Sequence, residues 1–362
     1  MSLPKWWLDL VEILTTPYVF FILSSFLLYI FLKGYRFFTK LIPGLLYFLS
    51  LTLFFGISMT NEQFRSVVLK SDNVPIIALI FITSFFVWFG LRQAAINDRR
   101  IESNLPPIEG EEKDRYFTWP DLVFIEFIAT IIGTVILILW SIFLKAPLEQ
   151  PADPAKAPNP AKAPWYFLGL QEMLVYFDPW IAGVVLPTLI IVGLCAIPYI
   201  DTNPKGKGYY TFKERKLAIT LFLYGFVILW ILLIFQGTFL RGPNWNFFSP
   251  YEKWDVTKAP PLNNVDLAEY VYLYILNRPL PENVLERELF GIILVVIYFT
   301  LLPFILAKTV FKKVYEELGF TRYSVFIFLF LCMAGMVLKM FLRWTINLKY
   351  LIFTGPPLNF NI

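Results

Sequence analysis

The chain has 362 residues, of which 57% are hydrophobic, 19% aromatic and only 16% charged, a balance that leaves too little charge to cover the surface of a water-soluble domain. A formal net charge of +4 is too small for a nucleic-acid footprint, so no nucleic acid is expected as a partner. Histidine is absent and the two cysteines form no CxxC pair, which excludes imidazole-ligated zinc or haem, imidazole proton shuttles and a thiolate metal site; no metal-ligating residues are expected.

In chain order, residues 3–14 alternate apolar and charged side chains behind the pair Trp6 and Trp7 and read as an amphipathic segment lying in the membrane interface rather than as a secretory signal. Blocks of nearly unbroken apolar sequence follow near 17–33, 42–58, 75–92, 121–144, 181–199, 217–236, 290–310 and 324–342. A bilayer-spanning helix needs roughly 20 such residues, so the expected fold is an all-α polytopic membrane protein with about eight transmembrane helices. Segment boundaries are expected at 1–112, 113–240, 241–289 and 290–362. Cys195 and Cys332 fall inside apolar blocks and read as small buried hydrophobes. Inverted repeats with broken polar helices, the pattern of a transporter, are not found.

More than half of the 31 basic residues lie in four short connections: Lys33, Arg36 and Lys40; Arg92, Arg99, Arg100, Lys113 and Arg115; Lys205, Lys207, Lys213, Arg215 and Lys216; and Lys308, Lys312, Lys313 and Arg322. The positive-inside rule puts these in the cytoplasm. Both termini, the loop 145–180 and the loop 237–289 are then extracytoplasmic.

The loop 145–180 is the most informative stretch. Asp153 to Pro158 reads Asp-Pro-Ala-Lys-Ala-Pro, and Asn159 to Pro164 repeats it with Asn in first place. Proline at this density fixes φ and removes backbone donors, which predicts an extended polyproline II strap. Trp165-Tyr166-Phe167-Leu168-Gly169-Leu170-Gln171-Glu172-Met173-Leu174 follows at once as a short amphipathic helix. A stiff strap leading into an aromatic short helix is suited to line a flat apolar pocket for a lipid-soluble ring compound. An interfacial aromatic belt on a rigid loop fits the same composition. Asp178, before Pro179 and Trp180, reads as the cap of the next span.

The order of span, Asn-Pro loop, Pro164-Trp165-Tyr166-Phe167, short helix, span ending Ile197-Pro198-Tyr199-Ile200-Asp201, basic loop and further span resembles the C-terminal half of cytochrome b, found also as the separate subunit IV beside cytochrome b6 in bc-type quinol oxidoreductase complexes. The resemblance covers roughly residues 115–240, a three-helix core within the chain. It implies a quinol-oxidising site on the positive side of the membrane, the side on which the charge count places the loop. Trp165 and Tyr166 match the aromatic pair of the family's Pro-Glu-Trp-Tyr motif, whose Pro and Glu fall on Ala163 and Pro164. The motif glutamate is therefore missing. The nearest carboxylate is Glu172, about 9 Å further along a helix axis; it is either the replacement proton acceptor or a solvated helix-face residue.

The resemblance thus implies Tyr166 and Glu172 as catalytic residues, with Pro164, Trp165, Tyr166, Phe167 and Leu170 binding the quinol, menaquinol for a bacterial relative. The family's haems are held by histidines absent here. A cytochrome b6-like haem-b subunit, and a Rieske-type iron–sulfur protein or multihaem cytochrome c, are the implied partners in a dimeric or larger complex of the bacterial inner membrane. Gln236 to Phe248 resembles an extension of bacterial relatives. Glu126, one turn into the fourth span, reads as a second-pocket or headgroup-facing carboxylate. The alternative function is a non-catalytic membrane anchor that has kept the scaffold and lost the site.

Overall fold

The computed structural model describes residues 3–70, 72–111, 116–143, 151, 153–203, 208–259, 264–355 and 360–362. Lys113, Arg115, Lys205 and Lys207 of the charge count, and residues 144–150 and 152 of the strap-bearing loop, lie outside the described residues. Among those described, every regular element is helical, and extended pairing is limited to isolated bridges such as Arg241–Phe247 and Val265–Leu348. The chain is an all-α polytopic membrane protein.

α1 (Lys5–Thr15) is helical over the segment expected to lie in the interface, and α2 (Pro17–Lys33) leaves it at an 81° bend. The break has a local cause. Thr16 takes φ −58°, ψ 140°, because proline at the next position disfavours the α region for the residue before it. Among the described residues, seven further helices are long and apolar enough to cross a bilayer: α3 (Leu41–Ser58), α4 (Val74–Glu102), α5 (Thr118–Phe143), α6 (Ile181–Ile200), α7 (Lys216–Leu240), α8 (Leu289–Lys308) and α9 (Lys312–Ile346). The bent pair α1–α2 makes an eighth if counted as one span. Each coincides with an expected apolar block. Two run longer than expected, because α4 continues through a charged turn to Glu102 and α9 includes an amphipathic prelude that ends at Gly319. Gly319 sits at φ +71°, ψ 177°, a conformation that only glycine adopts without strain.

The chain divides into two compact units. The first comprises Met1–Leu3, Leu27–Ala161 and Lys207–Leu221; the second comprises Pro4–Phe26, Lys162–Gly206 and Phe222–Ile362. In the first, the end of α4 anchors the basic connection before α7. Asp98, 2% exposed, accepts from the Tyr35 hydroxyl at 2.8 Å, the Thr211 hydroxyl at 2.6 Å and the Lys213 backbone N–H at 3.1 Å. Asn97 donates to the Tyr210 carbonyl at 2.9 Å. Buried polar groups satisfied in this way fix a single register for the connection. α5 contrasts with this, since no residue of its most apolar stretch is buried by the chain.

In the second unit, α8 and α9 pair around Ala307, Phe311, Tyr323, Ile327 and Leu331. α9 ends at Asn347, in the left-handed region at φ 58°, where asparagine is tolerated. The chain beyond it folds back, with Lys349 N–H donating to the Val265 carbonyl at 2.8 Å and Leu267 N–H to the Tyr350 carbonyl at 2.9 Å. Gly291 of α8 lets the Leu351 carbonyl approach where any Cβ would collide with it.

Candidate functional site

The second unit holds the segment that follows the strap. No helix forms over Asp153–Pro164. A turn closes from Lys156 N–H to the Asp153 carbonyl at 3.1 Å, so the early strap is not uniformly extended, whereas Pro164 itself takes polyproline II angles, φ −51°, ψ 147°. Trp165–Phe167 make one 3₁₀ turn, and the short helix Leu168–Met173 continues from it.

This turn is clamped on both sides. On the strap side, Ala163 N–H donates to Gln171 Oε1 at 2.8 Å. Lys162 Nζ donates to the Thr238 carbonyl at 2.6 Å and lies 5.1 Å from the centre of the Trp254 ring. On the helix side, two glycines permit close approach to the C-terminal end of α7. A Cβ on Gly169 would stand 3.3 Å from Ile234 Cγ1, and one on Gly237 would stand 3.1 Å from the Leu168 carbonyl oxygen.

Between the clamps three rings are displayed. Tyr166 is 48% and Phe167 50% exposed, Trp165 is half-buried, Leu170 is partly buried and Pro164 is exposed. Trp165 and Tyr166 meet edge to face at 5.7 Å between centroids, and Tyr166 and Phe167 are 4.7 Å apart. Trp165, Tyr166 and Phe167 thus form one run of touching rings, with Pro164 before it and Leu170 on the short helix after it.

Glu172 is elsewhere. Its side chain is fully buried, and its carboxylate accepts from Arg241 Nε at 2.9 Å and Nη2 at 2.6 Å, from Gln236 Nε2 at 3.0 Å and from the Tyr176 hydroxyl at 3.3 Å. No contact between Glu172 and Tyr166 is seen among the described residues. Of its two expected environments, a slot shared with the ring or a solvated helix face, the carboxylate occupies neither; it is a full partner in a buried fork–fork ion pair. Burial alone would lower the Arg241 pKa, but the facing carboxylate outweighs it and the net direction is up. The Tyr176 hydroxyl is pushed up by burial and then by Glu172, and it accepts from Trp344 Nε1 at 3.1 Å. A chain of polar contacts therefore runs from the short helix through Tyr176 to α9.

Arg241, Gln236, Tyr176 and Trp344 were not identified from the sequence. The only signal was a pair of polar residues, Gln236 and Arg241, closing an otherwise apolar span; which carboxylate they meet is a tertiary fact. Asp178 does cap the next helix, accepting from Trp180 N–H at 3.0 Å. Glu126 is exposed on α5, with no side-chain partner among the described residues.

The donor set does not fit a haem. The chain has no histidine, and among the described residues no group of three or more Cys, Asp or Glu is placed to hold a metal ion. Cys195 is exposed and Cys332 half-buried, each a free thiol; the expectation of burial fails for Cys195, which lies on an outward face of α6.

Residues 151–238 match the family described as cytochrome b (C-terminal)/b6/petD. Cytochrome b of Allochromatium vinosum is 30% identical over 134 residues, 35% of this chain and 32% of that protein, so the chain matches about a third of the length of this curated relative. No solved structure matches.

Proposed function

With a cytochrome b C-terminal segment at residues 151–238 as the premise, we propose that this chain is a haem-free membrane subunit of a cytochrome bc-type complex and that the ledge Pro164–Leu170 forms part of its quinol-oxidising site. The observation that carries the reading is the clamped aromatic turn. Exposing Tyr166 and Phe167 beside the half-buried Trp165 costs free energy in water and suits a flat apolar ring compound arriving from the bilayer. Its rigidity serves positioning, because electron transfer needs a quinol held in one orientation.

Quinol oxidation releases two electrons and two protons. The chain has no donor set for haem, so in this reading the electrons leave through redox groups owned by a cytochrome b6-like subunit and by an iron–sulfur or c-type cytochrome partner. Trp165 and Phe167 wall the ring, and the Tyr166 hydroxyl is the polar group that reaches its oxygen. Glu172 acts through structure: it fixes the short helix by its pair with Arg241, and it serves as a proton acceptor only when that pair opens.

The test is made on the purified complex. Tyr166→Leu and Trp165→Leu are expected to lower quinol-driven reduction of the complex's haem by at least about tenfold while subunit composition stays intact. Unchanged turnover in both variants contradicts the site.

One observation favours the second reading, a non-catalytic anchor. The motif carboxylate is replaced by Pro164 and the neighbouring one is locked in an ion pair. An anchor predicts that the same variants alter assembly and leave turnover per assembled complex untouched.

A further inference from the structure

The first unit contains a cavity of about 320 Å³ between the turn at Tyr35–Lys40, the start of α3 and the end of α4. Its wall gathers four cations: Arg36, Lys40, Arg92 and Arg99. Arg36 is paired, making a two-point contact with Glu102 at 2.6 and 3.1 Å. The other three have no carboxylate partner among the described residues. Arg92 Nη1 donates to the Thr39 carbonyl at 3.0 Å and its guanidinium lies 5.4 Å from the Trp88 ring. Arg99 uses Nε on the Ala95 carbonyl at 3.0 Å, and Lys40 Nζ lies 5.9 Å from the Phe37 ring.

Like charges held around one concavity repel unless an anion enters it. Guanidinium forks fixed by neutral contacts are preorganised for the oxygens of a phosphate. Below the cavity, Leu41, Leu45 and Leu49 are exposed at 54%, 59% and 54%, and their spacing of four residues sets them in one stripe along α3. A phosphate site continuous with an apolar stripe on a spanning helix matches a molecule with a charged head and acyl chains. Basic pockets between spanning helices bind anionic headgroups in this manner.

We propose that this cavity binds the phosphate-bearing headgroup of an anionic phospholipid, with its acyl chain along Leu41, Leu45 and Leu49. The site belongs to the N-terminal helices, for which the cytochrome b segment supplies no role, and it is independent of the quinol reading.

The experiment is native mass spectrometry of the purified protein after delipidation, with phosphatidylglycerol, phosphatidylcholine or inorganic phosphate added back, and thermal unfolding followed in parallel. Lys40→Gln/Arg99→Gln removes two exposed charges and spares the Arg92 contacts that support the fold. Arg92→Lys keeps the charge and removes the fork. The wild type is expected to retain phosphatidylglycerol and to be stabilised by it but not by phosphatidylcholine. Each basic residue near an anionic headgroup contributes about 1 kcal/mol, so the double variant is expected to bind roughly 10–30-fold more weakly, with Arg92→Lys also weakened. Equal retention of the two lipids, or retention unchanged in both variants, overturns the proposal. Stabilisation by inorganic phosphate equal to that by phosphatidylglycerol marks a soluble anion and overturns the lipid assignment.

Discussion

At the scale of single residues, the second unit rests on buried charge. Glu172 is fully enclosed and its partner Arg241 is only 8% exposed. Removing one member leaves the other buried and unpaired, so Arg241→Met is expected to destabilise the protein by about 3–5 kcal/mol. Replacing both with apolar residues is expected to restore much of that loss. Thermal unfolding in detergent of the two singles and the double measures it; a double as unstable as the sum of the singles contradicts the coupling.

Lys339 presents the opposite case. It is 2% exposed, its Nζ has no hydrogen-bond partner among the described residues, and the rings of Phe177 and Tyr350 lie 5.2 and 5.8 Å away. Lys339→Met is expected to stabilise by about 1–3 kcal/mol, read as a higher unfolding temperature.

Asp266 gives a pH dependence. Burial, then Glu269 and Glu288, push its carboxyl from 3.8 up to about 6. The folded protein therefore holds this proton to higher pH than the unfolded chain does. Stability is lost as pH rises between these values, and the penalty is full above about 6. Asp266→Asn keeps an acceptor and removes the charge; its gain in unfolding temperature is expected at pH 8 and absent at pH 4. An equal gain at both contradicts the assignment.

At the scale of elements, the sequence was most legible where one physical constraint dominates. A bilayer demands long apolar helices, and each expected block became one. The proline-rich strap before Trp165 was expected to be extended throughout; it is free of helix, but a turn at Asp153–Lys156 interrupts it. What could not be read is where separate segments touch. Glu172 looked like a surface or pocket residue because its neighbours in sequence are amphipathic, and its ion pair depends on a residue 69 positions away. The short helix sits where it does because Gly169 lets Ile234 come close and Gly237 lets Leu168 come close, and one sequence does not reveal those contacts. Gly291 makes the same point testably. Gly291→Ala places a methyl group against the Leu351 carbonyl and is expected to cost about 1–3 kcal/mol. Faster proteolysis of the segment after Asn347 is the readout, and unchanged protection contradicts the close packing.

At the scale of the whole molecule, the apolar surface exceeds what the chain buries for itself. The most apolar stretch of α5 is entirely unburied, as expected of a helix that faces lipid or another subunit. The charge count makes a global prediction of its own: cysteines placed at the exposed positions 37 and 312 are labelled by a membrane-impermeant maleimide only from the cytoplasmic side, and one at the exposed position 253 only from outside. The reverse pattern overturns the orientation and moves the aromatic ledge to the wrong face for the proposed chemistry.

The central claim, a quinol held against the ledge after the proline strap, is tested most directly by photolabelling. A photoreactive azidoquinone is irradiated with the purified complex, and the modified peptides are mapped by mass spectrometry. The account predicts a label within Pro164–Leu170 that excess native quinol suppresses and that Trp165→Leu diminishes. A suppressible label confined to other segments, with this turn unmodified, contradicts it.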